Sequence, residues 1–267
     1  MATPDYTVLD SSAGSLHKTS VIVREGSDAL VVDAGFTRAD GHRVVAALLD
    51  GGTAPSMVVI TAGDPDFYFG AEVIADAFPA ARFVAPADVI EHIAHSYEGK
   101  LKAWAHFGIN LPTRLVQIEE AESTITVGQT ALELHHAGGS MGDRGWYLFE
   151  PTERALIGGV VLFEGLHVWT ADSATPELRA GWIMALDDLQ ALRPTFVVAG
   201  HRTAEAPTDL TAIQHTRDYL HVFEKTIAGS ADAAEAEKTL LDAHPNAGLT
   251  IAASLGTKVA KGEMSWG

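Results

Sequence analysis

Three residues of this chain carry side chains suited to moving a proton. Asp64 and Asp66 lie two positions apart in Ala62-Gly63-Asp64-Pro65-Asp66-Phe67-Tyr68, and His201 follows the apolar run Val197-Val198-Ala199 at a Gly-His turn. A carboxylate beside an imidazole fixes its tautomer and raises its basicity, which makes a general acid/base pair. If the fold brings them together with no reaction to serve, the same residues would form an ion pair, because buried polar groups need partners whether or not they catalyse. A second pattern, Gly138-Gly139-Ser140-Met141-Gly142, matches the Gly-x-Ser-x-Gly elbow of serine hydrolases, and the order Ser140, then Asp172 or Asp187, then His201 fits that class. An elbow needs a helix after the serine, whereas Asp143 to Glu150 reads as a strand. A Gly/Ser turn is therefore the preferred reading, and a nucleophilic Ser140 the lesser one.

The histidines elsewhere offer less. His135 and His136 are neighbours on a strand, so their side chains point to opposite faces and at most one can reach a site. His92 and His95, three apart on a helix, read as a solvated face, and Lys100 and Lys102 on the same helix as surface charges that could attract an acidic substrate. There is no cysteine, which removes disulfides, thiolate nucleophiles and cysteine-ligated zinc and leaves histidine and carboxylate as metal ligands.

The elements that position these groups follow from periodicity. Thr19 to Arg24 and Ala29 to Asp33 are β-branched runs joined at Glu25-Gly26-Ser27-Asp28, which predicts a hairpin. A helix over Arg38 to Leu49, a buried strand over Ser56 to Thr61, a helix over Phe67 to Phe78, a strand over Arg82 to Ala85 and a long helix over Ala87 to Phe107 come next. The middle of the chain changes character, with short strands at Ser123 to Val127, Ala131 to His136, Gly145 to Glu150 and Ala155 to Gly158. Pro176 to Leu192 is a helix, Thr195 to Ala199 a strand, and the chain from about residue 208 is helical. Strands flanked by helices at both ends predict two sheets packed together with helices outside.

Composition narrows the function. The 267 residues are 47% apolar, enough for a sizeable core, and residues 1–267 read as one domain. Lysine and arginine number 18 against 35 acids, a net charge of −17 that repels phosphate backbones and anionic lipid, so neither nucleic acid nor membrane is an expected partner. Met1 to Ser20 lacks a basic region followed by an apolar stretch, and no apolar run approaches the roughly 20 residues of a spanning helix. The expectation is a cytoplasmic protein with a small-molecule substrate, with a homo-oligomer left open.

Several phrases in order resemble the metallo-β-lactamase fold superfamily over most of the chain. Ser20-Val21-Ile22-Val23 followed by Leu30-Val31-Val32-Asp33-Ala34-Gly35 resembles its opening hairpin and Asp-x-Gly turn, and Val58-Val59-Ile60-Thr61 leads into Ala62 to Gly70 where the family writes Thr-His-x-His-x-Asp-His. Leu156 to Val160 resembles its apolar strand ending in Gly-Asp, and Val197 to His201 its Val-Val-Pro-Gly-His. The resemblance implies an α+β fold, an αββα sandwich of two mixed β-sheets flanked by helices. It also implies that His201, Asp64 and Asp66 face one pit, that Ser140 could face His201 across it, and that Phe67, Tyr68, Trp104, Phe107, Trp146, His167 and Trp169 lie near enough to wall a pocket.

Within that resemblance the departures fall on the ligands. Ala62, Asp64 and Phe67 replace three histidines, Val160 replaces the bridging aspartate, and either Gly138 or Ser140 stands where a further imidazole belongs. Ala62, Phe67 and Val160 offer zinc no lone pair. No cofactor is expected. The leading expectation is a metal-independent enzyme working by general acid/base chemistry through His201, Asp64 and Asp66, either on an ester or lactone or as a lyase or isomerase. The alternatives are a small-molecule-binding pseudoenzyme and a mononuclear hydrolase with a harder metal on Asp64, Asp66 and His201.

Overall fold

The computed structural model describes residues 3–266. In chain order it runs β1 (Asp5–Asp10), β2 (Thr19–Glu25), β3 (Asp28–Val32), α1 (Arg38–Asp50), β4 (Ala54–Val59), α2 (Pro65–Tyr68), α3 (Ala71–Ala77), β5 (Arg82–Ala85) and α4 (Ala87–Ala103). There follow β6 (Glu119–Glu120), β7 (Thr124–Val127), β8 (Thr130–His136), β9 (Trp146–Glu150), β10 (Ala155–Glu164), α5 (Pro176–Ala191), β11 (Phe196–Arg202), α6 (Thr211–Gly229), α7 (Ala233–Ala243) and α8 (Thr250–Ala260). One sheet is ordered β1-β2-β3-β4-β5-β6 and the other β11-β10-β9-β8-β7, each mixing parallel and antiparallel pairs. The expected sandwich of two mixed sheets between helices is the observed fold.

The layering is written in the alternation of the strands. Val21, Val23, Leu30, Val32, Val59 and Val84 of the first sheet meet Ile125, Leu132, Leu148, Ile157 and Val198 of the second in one apolar layer. The residues between them, Ile22, Val31 and Val58 on one sheet and Leu156 and Val197 on the other, face outward into a second core built with the helices. Strands covered on both faces read as unbroken apolar runs because both pleat faces are buried. Among the described residues no helix is long and apolar enough to cross a membrane.

Four expectations need correction. The helix anticipated over Phe67 to Phe78 is two, α2 and α3, because the backbone at Phe69-Gly70 turns to the β3–α1 loop: Ala34 N–H donates to the Phe67 carbonyl at 2.8 Å and Gly70 N–H to that of Gly35 at 3.0 Å. A Cβ on Gly70 would sit 2.1 Å from the Ala34 oxygen, so only glycine allows this approach. The long helix from Ala87 ends at Ala103, and Ala105–Asn110 continues as a 3-10 segment interrupted at Gly108, whose φ is 55°. β10 runs on from Gly158 to Glu164 and β11 from Ala199 to Arg202, while β1 is a strand where none was anticipated. The helical stretch expected from about residue 208 is observed, as α6, α7 and α8.

The extension of β10 builds the site. Gly158 pairs with Ala199, yet the next pair is Phe163 with His201, so five residues of β10 span two of β11 and the strand bulges between them. Gly200 makes this possible, since a Cβ there would lie 2.1 Å from the Gly159 oxygen. The bulge brings Val160 and Phe163 to the end of β11 beside His201.

Candidate active site

His201 emerges from the carboxyl end of β11, and Asp66 sits in the first turn of α2, where Pro65 at the helix start presets the backbone. The two meet: His201 Nε2 lies 2.7 Å from Asp66 Oδ2, with both side chains more than nine-tenths buried. The imidazole stacks on Phe163 with ring centres 4.9 Å apart, and Phe67 meets it edge-on at 5.7 Å. Nδ1 is buried without a hydrogen-bond partner. An unpaired N–H would cost more than an unpaired lone pair, so the geometry favours the tautomer in which Nε2–H donates to Asp66 and Nδ1 keeps its lone pair.

The pair forms part of a cavity of about 70 Å³ whose other walls include Leu16, Trp104, Val160, Trp169 and Leu249. Leu16 and Leu249 both hold left-handed backbone, φ 57° and 59°, an uncommon state for branched apolar residues that sets their side chains against the pocket. Trp104 is fixed from behind by Phe36, edge-on at 4.7 Å, and by Phe107, stacked at 5.5 Å.

Asp64 lines the same pocket but does not serve the imidazole. Its carboxylate accepts from Arg144 Nε at 3.0 Å and from Lys100 Nζ at 3.3 Å. Burial alone would raise its pKa, yet the Arg144 guanidinium and then the Lys100 ammonium hold it at about 2. Arg144 is itself shared with Asp172, Nη1 to Oδ2 at 2.6 Å. Asp64 thus belongs to a cation cluster, and Asp66 alone is the partner of His201.

Beneath this lies a second buried charge. Lys18, with no solvent exposure, donates to Asp33 Oδ2 at 3.0 Å, and its ammonium stands 4.0 Å over the Phe67 ring. Asp33 also accepts from the Thr61 backbone N–H at 2.9 Å and from its hydroxyl at 3.0 Å. Burial pushes the Asp33 carboxyl upward, against Lys18 and Thr61.

The remaining candidates divide. Phe67 and Trp169 line the pocket, as anticipated. Ser140 does not face His201: it lies in the 3-10 turn Gly139–Arg144, packed so closely on α5 that a Cβ on Gly181 would be 2.4 Å from its hydroxyl. Tyr68 is turned into the core against Phe69 and Tyr97, and Trp146 points away, donating from Nε1 to Asp88 at 3.0 Å. His167 is wholly buried in another place, 3.1 Å from the Tyr219 hydroxyl and beside His244, where burial and then its histidine neighbours lower its pKa to about 4. His95 is exposed, as expected of a solvated face, while His92, partly exposed, pairs with Asp143, and Lys100 reaches from the same helix to the pocket. Among the described residues no three His, Asp or Glu side chains converge as metal ligands, so the mononuclear set of Asp64, Asp66 and His201 is not assembled.

Sequence reasoning missed Lys18, Arg144 and Phe163. The apolar run Val160 to Phe163, continuous with Ala155 to Gly158, could have signalled the longer strand and with it Phe163. Lys18 and Arg144 carry no pattern, because a single cation beside a strand or in a glycine loop looks like any surface charge until its carboxylate partner is located.

The Metallo-beta-lactamase superfamily profile matches residues 14–201. No curated protein matches the chain. Among solved structures, a metallo-beta-lactamase family protein from Thermus thermophilus aligns with a TM-score of 0.64 at 16% identity, over 96% of this chain and 91% of that one. A metallo-beta-lactamase from Pontibacter korlensis aligns with a TM-score of 0.54 at 19% identity, over 76% of this chain and 87% of its own. At such identities the likeness is one of fold.

Proposed function

The chain belongs to the metallo-beta-lactamase superfamily, and from that premise we propose that it is a metal-independent enzyme that transfers a proton to and from a small organic substrate through the Asp66–His201 pair. The residues do not suit the divalent centre that the family resemblance implies. Ala62 and Val160 are buried hydrocarbon, Phe67 presents a ring edge to His201, and the ammonium of Lys18 and the guanidinium of Arg144 stand where they would repel a cation.

One observation carries the reading: a buried carboxylate bonded to a buried imidazole at 2.7 Å on the wall of an apolar cavity. Such a pair takes up one proton and returns it, which supports general acid/base chemistry. In ester or lactone hydrolysis it would accept the proton of the attacking water and return it to the leaving oxygen. Arg144 and Lys100 on the same wall would stabilise the oxyanion formed between those steps. In a lyase or isomerase it would take the proton from a carbon beside a carbonyl, with the same cations facing the enolate. Loss of the family's metal-activated water makes this second chemistry a close rival to the first.

A ligand-binding role without turnover has one observation in its favour, the clamping of His201 between Phe163 and Phe67. The deciding experiment is a panel of small esters, lactones and carbon acids assayed with wild type and His201→Ala, alongside equilibrium binding. Turnover lost in the variant with binding retained supports the enzyme; binding by both proteins and turnover by neither supports the binder.

A further inference from the structure

The segment after α8 returns to the pocket. Gly262, φ 70°, reverses the chain, and Glu263 accepts from the Ala233 backbone N–H at 2.8 Å at the start of α7, which fixes the direction of the residues that follow. Trp266 then meets Trp169 edge-on with ring centres 5.7 Å apart, and its Nε1–H donates to Asp172 Oδ1 at 3.0 Å. Both contacts lead into the site. Trp169 is a pocket wall, and the other oxygen of Asp172 holds Arg144, which in turn holds Asp64.

Trp169 is half-buried, packed against the edge of the apolar core. It follows Val168 on a segment with no regular secondary structure, which α8 supports at Thr170: a Cβ on Gly256 would lie 2.1 Å from the Thr170 hydroxyl. That contact fixes the backbone, the core supports one side of the Trp169 ring, and Trp266 meets the ring from outside. Trp266 supplies the brace while remaining 39% exposed, a poor return in burial for so large a side chain.

We propose that Trp266 is a positioning residue for the pocket, holding Trp169 and the Asp172–Arg144 link closed and so restricting the site to ligands of small size. This rests on the reading of that cavity as the substrate site. Without the Trp266 indole, Trp169 is free to swing outward, and a cavity of about 70 Å³ opens to flat apolar anions that Arg144 and Lys100 would attract.

The test uses the full chain and the dye 8-anilinonaphthalene-1-sulfonate, a bulky apolar anion. Fluorescence titration of wild type, Trp266→Phe and Trp266→Ala should show affinity rising about fivefold or more in Trp266→Ala and little in Trp266→Phe, which keeps a ring on Trp169. Cooperative thermal unfolding confirms that each variant is folded, and a crystal structure locates the dye beside Trp169. Equal affinities, a lowered Tm with unchanged dye binding, or dye bound outside the cavity would each overturn the proposal. If Trp266→Ala fails to unfold cooperatively, Trp266→Leu takes its place, with a gain supporting the proposal and no gain overturning it. The readout is binding alone, so a chain in which His201→Ala leaves turnover unchanged would sink the acid/base mechanism and leave this result standing.

Discussion

The ring of His201 lies 8° from parallel with that of Phe163, at 4.9 Å, while its Nε2 meets Asp66 at 2.7 Å. The stack covers one face of the imidazole and the carboxylate fixes its rotation, so the ring is held by two contacts of different kinds. Phe163 reaches that position only through the bulge of β10, and Asp66 only through the short α2 helix.

The first expectation concerns turnover. His201→Ala should abolish it and Asp66→Asn should lower kcat by about 10²-fold or more, the usual contribution of a general acid/base group. Ser140→Ala, on the far side against Gly181, should change kcat/KM by less than about twofold. A covalent adduct on Ser140, seen by mass spectrometry, would replace this assignment with nucleophilic catalysis.

Lys18 and Asp33 should be strongly coupled. Lys18→Met leaves a buried carboxylate unpaired and should cost on the order of 3–5 kcal/mol in urea unfolding, whereas Lys18→Met with Asp33→Asn should cost clearly less than the two single changes added together. Additive costs would show that the pair does not act as a unit.

Acid stability should report Asp64. Its folded pKa of about 2 lies below the ordinary 3.8, so the stabilisation is complete above about pH 4 and is lost as pH falls towards 2. Arg144→Met, by removing the main opposing cation, should flatten the dependence of unfolding free energy on pH in that interval. An equally steep loss in the variant would assign it to other carboxylates.

A separate loss should appear at milder pH. His167, held neutral with a pKa near 4 against the ordinary 6.5, binds a proton more readily once unfolded, so stability should decline as pH falls from about 6.5 to 4 and level off below. At roughly 1.4 kcal/mol per pH unit the whole effect is a few kcal/mol at most. His167→Phe should lessen that decline, measured by unfolding at several pH values, leaving the smaller part due to His244 and His17, which burial also holds below 6.5.

Metal content gives an independent check. Purified protein should contain well under one zinc per chain by elemental analysis, and a strong chelator should leave activity and Tm unchanged. One tightly held ion per chain, lost together with activity, would contradict the reading of the pit.

Much of the frame was legible because strands buried on both faces and helices with one apolar stripe write their environment into their periodicity. The Val197 to His201 phrase placed the imidazole at a strand end, and the Asp-Pro-Asp phrase placed the carboxylates near a helix start. Which carboxylate would face His201 was not legible, since Asp64 and Asp66 differ only in where Arg144, 80 residues from Asp64, sends its guanidinium. Trp146 and His167 were plausible as pocket walls by sequence proximity to the landmarks. Their rings are instead claimed by Asp88 and by Tyr219 and His244, long-range partners that no local pattern announces.

The site also constrains the order of events during synthesis. His201 is 135 residues beyond Asp66, an isolated antiparallel bridge joins it to Lys18, and the adjacent Arg202 reaches back 192 residues to Asp10. A ribosome-bound chain that has exposed only the first sheet carries Asp66, Asp33 and Lys18 with no imidazole to meet the carboxylate and no second sheet to cover Val21 and Val32. Its inter-sheet face stays open until β7 to β11 emerge, a long interval in which chaperone capture or premature association competes with closure. Pocket formation is therefore a late event, and a nascent chain arrested before β11 should be bound by holdases while lacking the site altogether.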